Sequence, residues 1–99
     1  MTDLTTIHVT ITRELAMRGE RYVCARCPVA LAINQHLLPG WAAWIHHTQG
    51  TVSKGGQVHT FALPEVAQQF VATFDKHKPV QFPVTFDVKL PKRLVKEAE

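Results

Sequence analysis

The sequence predicts an α+β fold: about four mostly antiparallel strands, two main helices and one short helix, in the order β-α-α-β-β-α-β. Three observations carry this. Residues 6–12 and 82–90 alternate apolar and polar side chains with the period of two that marks a strand lying on a core. Residues from Pro64 onward repeat apolar side chains at helical spacing. Gly55-Gly56 supplies the positive φ angles of a hairpin turn between two further strand signals. Helices packed on one face of the sheet would complete a single core.

The elements follow in order. In residues 6–12, Ile7, Val9 and Ile11 point one way and His8, Thr10 and Thr12 the other. Thr12 is placed to cap a short helix over residues 13–18, with Glu14 at the positive end of its dipole. Gly19 suits the left-handed C′ position that ends it. Residues 20–26 link to a second helix that starts at Pro28, a position that favours a residue without an N–H. Val29, Ala30, Ile33 and Leu37 form its apolar stripe, and Pro39-Gly40 stops it. Residues 41–47 read as a strand with Ala43 and Ile45 on one face, Ala42 and Trp44 on the other. Residues 48–57 turn the chain and leave room for a short strand at 51–53; residues 58–62 return as a strand. In the helix opened by Pro64, Val66, Phe70 and Phe74 recur every four residues, with Ala67 and Val71 beside them. It ends near Lys76, and Lys78-Pro79 breaks it. In the last strand Phe82, Val84, Phe86, Val88 and Leu90 share a face, and burying each contributes about 1.5–3 kcal/mol. Pro83 cannot donate to a ladder, so this strand starts at an edge or a bulge. Residues 1–91 are expected to form one domain and residues 92–99 a charged tail.

With 99 residues, 45% of them apolar and 19% charged, the chain can build an ordinary core without a disulfide or a metal. The first residues lack a basic n-region, and no apolar run approaches the ~20 residues of a membrane span. No membrane partner and a cytoplasmic location, where thiols stay reduced, are therefore expected.

The net charge is +3. Six of the eleven Lys and Arg residues, Lys76, Lys78, Lys89, Lys92, Arg93 and Lys96, lie in the last quarter, and Arg13, Arg18, Arg21 and Arg26 surround the first helical region. If the two regions adjoin in space they form one positive face suited to phosphates; otherwise they are scattered solvated charge.

Cys24-x-x-Cys27 is the most specific short motif. Cys27 stands just before Pro28 at a helix start, where the dipole lowers a thiol pKa, and the spacing is that of thioredoxin-type redox sites. The βαβ context of such sites is missing, however, and a Cys27 packed under the helix is the competing reading. Zinc would need two further ligands from His36, His46, His47, His59 or His77. No second Cys-x-x-Cys or His-x-x-x-His pair exists. His46 and His47 fall on opposite faces of a strand, and His36 lies too far along the helix from Cys27. Cys24 and Cys27 are thus the only metal candidates, and neither a metal nor a cofactor is expected. No triad, carboxylate pair or phosphate loop marks a catalytic site. Trp41 and Trp44 are three apart on a strand, hence on opposite faces. One can serve the core and the other an interface, unless helices cover both faces. An edge strand and an exposed Trp would also let two copies pair as a homodimer.

With Arg18-Gly19, then Cys27-Pro28-Val29-Ala30-Leu31-Ala32, Leu63-Pro64, Phe74-Asp75 and the strand from Phe82-Pro83 to Phe86, the chain resembles a group of small uncharacterised proteins of bacteriophages, prophages and their bacterial hosts. The resemblance spans residues 7–88. It implies a shared fold and a phage-associated origin inside a bacterial cell; it brings no assigned activity. Cys24 and the basic tail stand outside the common pattern.

Three functions follow as expectations. The first is a non-enzymatic binder, of the anti-defence type to which anti-CRISPR proteins belong, that modulates a host or phage protein complex. Its partner-binding candidates are Arg13, Arg18, Arg21, Arg26, Trp44, Lys89, Lys92 and Arg93. The second is a nucleic-acid-binding accessory protein using the basic face. The third is a small Cys/His zinc-binding or thiol-redox domain.

Overall fold

The computed structural model describes residues 3–20, 23 and 25–96. In chain order the elements are strand β1 (Leu4–Ile11), helices α1 (Arg13–Arg18) and α2 (Pro28–Asn34), and strands β2 (Ala42–Ile45), β3 (Gln49–Lys54) and β4 (Gln57–Ala62). Helix α3 (Glu65–Asp75), strand β5 (Val84–Pro91) and a 3-10 turn at Lys92–Leu94 follow. The class is α+β and the order is the one the sequence implies, with a fifth strand: the stretch that promised a short strand at 51–53 is the six-residue β3. β3 lengthens because it is paired on both sides, to β2 and to β4.

The strands form two antiparallel sheets rather than one. β1 pairs with β5, and β2, β3 and β4 form a separate meander. The two alternating segments match each other over eight pairs, with Ile7 opposite Val88 and Val9 opposite Phe86. No ladder joins β5 to β4, so the sheets touch but do not merge. Ile7, Val9, Ile11, Phe86, Val88 and Leu90 are buried on the inner face, with Phe82 and Val84 packed at its margin. Pro83 lies just ahead of β5.

Local chemistry explains the helices. The Leu15 N–H donates to Thr12 Oγ1 at 3.1 Å, capping α1. Gly19 does not take the left-handed conformation expected of it; its φ is −80°. Glycine is needed there for a different reason: a Cβ would lie 2.6 Å from the Pro28 ring. The Arg-Gly and Cys-Pro parts of the sequence pattern therefore meet in space. α2 stops at Asn34, short of Pro39-Gly40: the His36 and Leu37 N–H groups donate three residues back, to the Ile33 and Asn34 carbonyls, and the Asn34 side chain accepts the Ala43 N–H at 2.8 Å. On α3 the buried stripe is Ala67, Phe70 and Phe74, with Val71 half-buried, while Val66 is 50% exposed and faces solvent, contrary to expectation. Spacing i, i+3, i+4, i+7 from Ala67 leaves Val66 off the stripe. Phe70 stacks on Phe74 and meets the Phe82 ring edge-on, tying α3 to the approach to β5.

α3 ends in a Schellman motif: the His77 N–H donates to the Phe74 carbonyl and the Lys78 N–H to the Thr73 carbonyl. His77 sits at its C′ position with φ of 61°. A left-handed conformation costs a side-chain-bearing residue about 1–2 kcal/mol. His77→Gly is therefore expected to stabilise the fold by about 1 kcal/mol, raising Tm by about 4–8 °C in a thermal melt.

The C-terminal stretch is not a loose tail up to Lys96. Leu94 is fully buried and Leu37 bridges to Val95. The Leu38 N–H donates to the Leu94 carbonyl and the Lys96 N–H to the His36 carbonyl. Charge at Lys92, Arg93 and Lys96 suggested solvation, but Leu94 and Val95 supply the apolar anchor. Among the described residues no helix is long and apolar enough to cross a membrane.

Candidate functional site

The three-stranded sheet has an inner and an outer face. Ala43, Val52, Ile45, Gly50 and Phe61 are buried on the inner one. Gly50 is held by packing: a Cβ there would fall 2.3 Å from the Phe61 ring. The rigid inner layer fixes what alternates to the other side. One outward row is Trp44, Thr51 and Thr60; the next is Ala42, Ser53 and Val58. None of these six side chains is charged. Trp44 is 49% exposed and Val58 64%. A flat outer face carrying a half-exposed Trp, a Val and hydroxyl groups offers apolar area and hydrogen-bonding partners without charges to desolvate. Trp41, by contrast, lies just ahead of β2 and packs against the core.

Arg13 and Lys92, two of the basic candidates, lie at opposite ends of the β1–β5 ribbon. Arg13 opens α1 at the far end of β1, with its guanidinium 5.5 Å from the centre of the Phe82 ring. Lys92 lies beyond the other end of the ribbon, about 24 Å away by strand rise. Arg26 is paired with Glu20 at 3.0 Å in solvent. Arg18 flanks a shallow depression with Leu15, Leu31 and Gln35. Lys89 stands on the outer face of the ribbon opposite Thr6, and the Arg93 guanidinium donates to Gln57 Oε1 at 3.3 Å. Arg21 and Cys24 lie outside the described residues.

Cys27 is buried at the N-cap of α2. A cavity of about 210 Å³ beside it is lined by His46, His47 and Asp75 as well as Val23, Ile45 and Val71. His46 and His47 share this wall instead of opposing each other, because β2 ends at Ile45 and strand alternation ends with it. Among the described residues no group of three or more His, Cys, Asp or Glu is placed to hold a metal ion.

Composition alone gave no sign of a cleft of about 540 Å³ between β1 and the docked C-terminal stretch, where His8, His36, Lys92 and Lys96 meet Gln35 and Val95. Only the docking of Leu94 and Val95, an apolar pair in a charged stretch, brings them together. Burial drives the His36 pKa below the ordinary 6.5, and Lys96 and His8 add to the effect. As pH falls below 6.5 the unfolded chain binds this proton before the folded one does. The His36 contribution to stability is thus complete above that pH and is lost as pH falls through the folded value. Urea unfolding at pH 7.5 and 5.5 is expected to show a smaller loss on acidification in His36→Gln than in the parent.

Compared with protein-family models, curated proteins and solved structures, the chain matches none.

Proposed function

We propose that this chain is a small non-enzymatic binding protein that grips a partner protein with the outer face of β2, β3 and β4, anchored by Trp44. The observation that carries this reading is the uncharged outward pair of rows with Trp44 and Val58 exposed on a sheet whose other face is locked into the core. Exposed Trp is enriched among residues that dominate binding energy. A phage-associated role, in which the partner is a host complex in the bacterial cytoplasm and the outcome is anti-defence modulation, rests on the resemblance carried by Arg18-Gly19 and Cys27-Pro28 through Ala32. The alternative of a broad nucleic-acid-binding face is weakened, because it needs Arg13 and Arg26 beside Lys92 and Arg93, and the ribbon separates Arg13 from Lys92.

Capture from a bacterial host lysate tests the reading. The parent chain should retain a stoichiometric protein that Trp44→Glu does not. Equal recovery by both chains, or recovery by neither, contradicts it.

A further inference from the structure

β1 has a free edge, and the ladder fixes which backbone groups line it. The Lys92 N–H donates to the Asp3 carbonyl at 2.9 Å, which extends the β1–β5 register by one hydrogen-bonded pair. Alternation along an antiparallel ladder then turns the N–H and C=O of Thr5, Ile7, Val9 and Ile11 toward β5. Those of Leu4, Thr6, His8 and Thr10 turn away. Among the described residues no hydrogen bond reaches the amides of Thr6 and His8. Unpaired edges are templates for another strand, and proteins usually blunt them. Here the opposing wall is the short pairing of residues 36–38 with 94–96, and the 540 Å³ cleft lies between the two.

We propose that this cleft binds an extended acidic peptide, which adds as a strand to the free edge of β1 at Thr6 and His8 and sets its carboxylates against Lys92 and Lys96. Charge complementarity selects the acid. Lys92 and Lys96 line the cleft with His36 and His8, no Asp or Glu is among its described lining residues, and the Asp87 carboxylate is bound to His8 Nδ1 at 2.6 Å. The edge selects a peptide over a nucleic acid. It offers carbonyl acceptors alternating with N–H donors at strand repeat, and a phosphate chain can use only the donors. Among the described residues no Phe, Tyr or Trp lines the cleft to stack bases. This surface is separate from the Trp44 face, so Trp44→Glu leaves it intact.

The probe is a fluorescein-labelled peptide of alternating Thr or Val and Glu, followed by anisotropy and by amide hydrogen exchange in NMR spectra. Saturable binding is expected, with slowed exchange at Thr6 and His8. Lys92→Glu with Lys96→Glu should weaken it by about tenfold or more. Both residues are exposed, and a parent-like thermal melt verifies folding; Lys92→Ala serves as a milder second variant. The same peptide N-methylated on alternate residues, made in both staggered forms, keeps its charge and loses ladder donors. One of the two forms should bind about tenfold more weakly than the parent peptide. No binding, equal binding of both N-methylated forms, or tighter binding of an oligodeoxythymidine of equal charge would each overturn the proposal.

Discussion

Leu94→Ala is expected to cost about 2–5 kcal/mol of folding stability, the range for emptying a buried leucine site. Leu94 has no exposed surface, and the strands of chain on either side of it are tied by the Leu38–Leu94 and Lys96–His36 backbone bonds. Domains of this kind hold only about 5–15 kcal/mol in total, so the variant should sit near the edge of unfolding. Its neighbour Lys92 is exposed, and Lys92→Ala should stay within about 0.5 kcal/mol of the parent. Urea denaturation of the two variants separates these outcomes. Equal small shifts would mean that residues 92–96 are not part of the core, and the cleft against β1 would lose its far wall.

Trp44→Glu should leave stability nearly untouched and remove binding. Half the Trp44 side chain is already in solvent, and its neighbours across the sheet, Thr51 and Thr60, accept a polar residue without strain. In a complex the same position would place a carboxylate in a desolvated surface whose two outward rows hold no cation to pair it. A loss of at least about 2 kcal/mol, or roughly 30-fold in Kd, is expected against the captured partner. Val66→Glu alters another half-exposed apolar residue on α3 and should leave affinity unchanged. Titration calorimetry with the purified partner reads both. A similar loss in the two variants would point to general surface hydrophobicity rather than to this face.

Much of the fold was legible in the residues because local rules and tertiary packing agree. The Thr12 cap, the Pro28 start and the alternation in β1 and β5 each need only neighbouring residues to be read. The misreadings occur where a distant partner decides. Gly19 is set by the Pro28 ring, nine residues on, and not by its own φ. α2 ends early in i→i−3 turns at His36 and Leu37, beside the Asn34 side chain that binds the backbone of Ala43. The second sheet arises because β5 finds β1 across the whole chain, a choice that periodicity does not encode. The same division holds for the candidate surfaces. Alternation separates Trp41 from Trp44 without saying which is exposed; Trp44 proves to be the outward one, and Thr51, Thr60 and Val58 follow once the register is known. The separation of Arg13 from Lys92 and the assembly of His8, His36, Lys92 and Lys96 depend on the ends of β1 and on Leu94, and no spacing in the sequence carries that information.

If the outer face of β2, β3 and β4 meets a partner, the residues of the Trp44 row lie against it. Site-specific photo-crosslinking tests this most directly, with the reactive group placed either at Thr60, on the Trp44 row, or at Gln69, on the solvent side of α3. Efficient coupling of the captured protein from position 60 with little from position 69 is the predicted result. Coupling from position 69 in preference to position 60 would contradict the account.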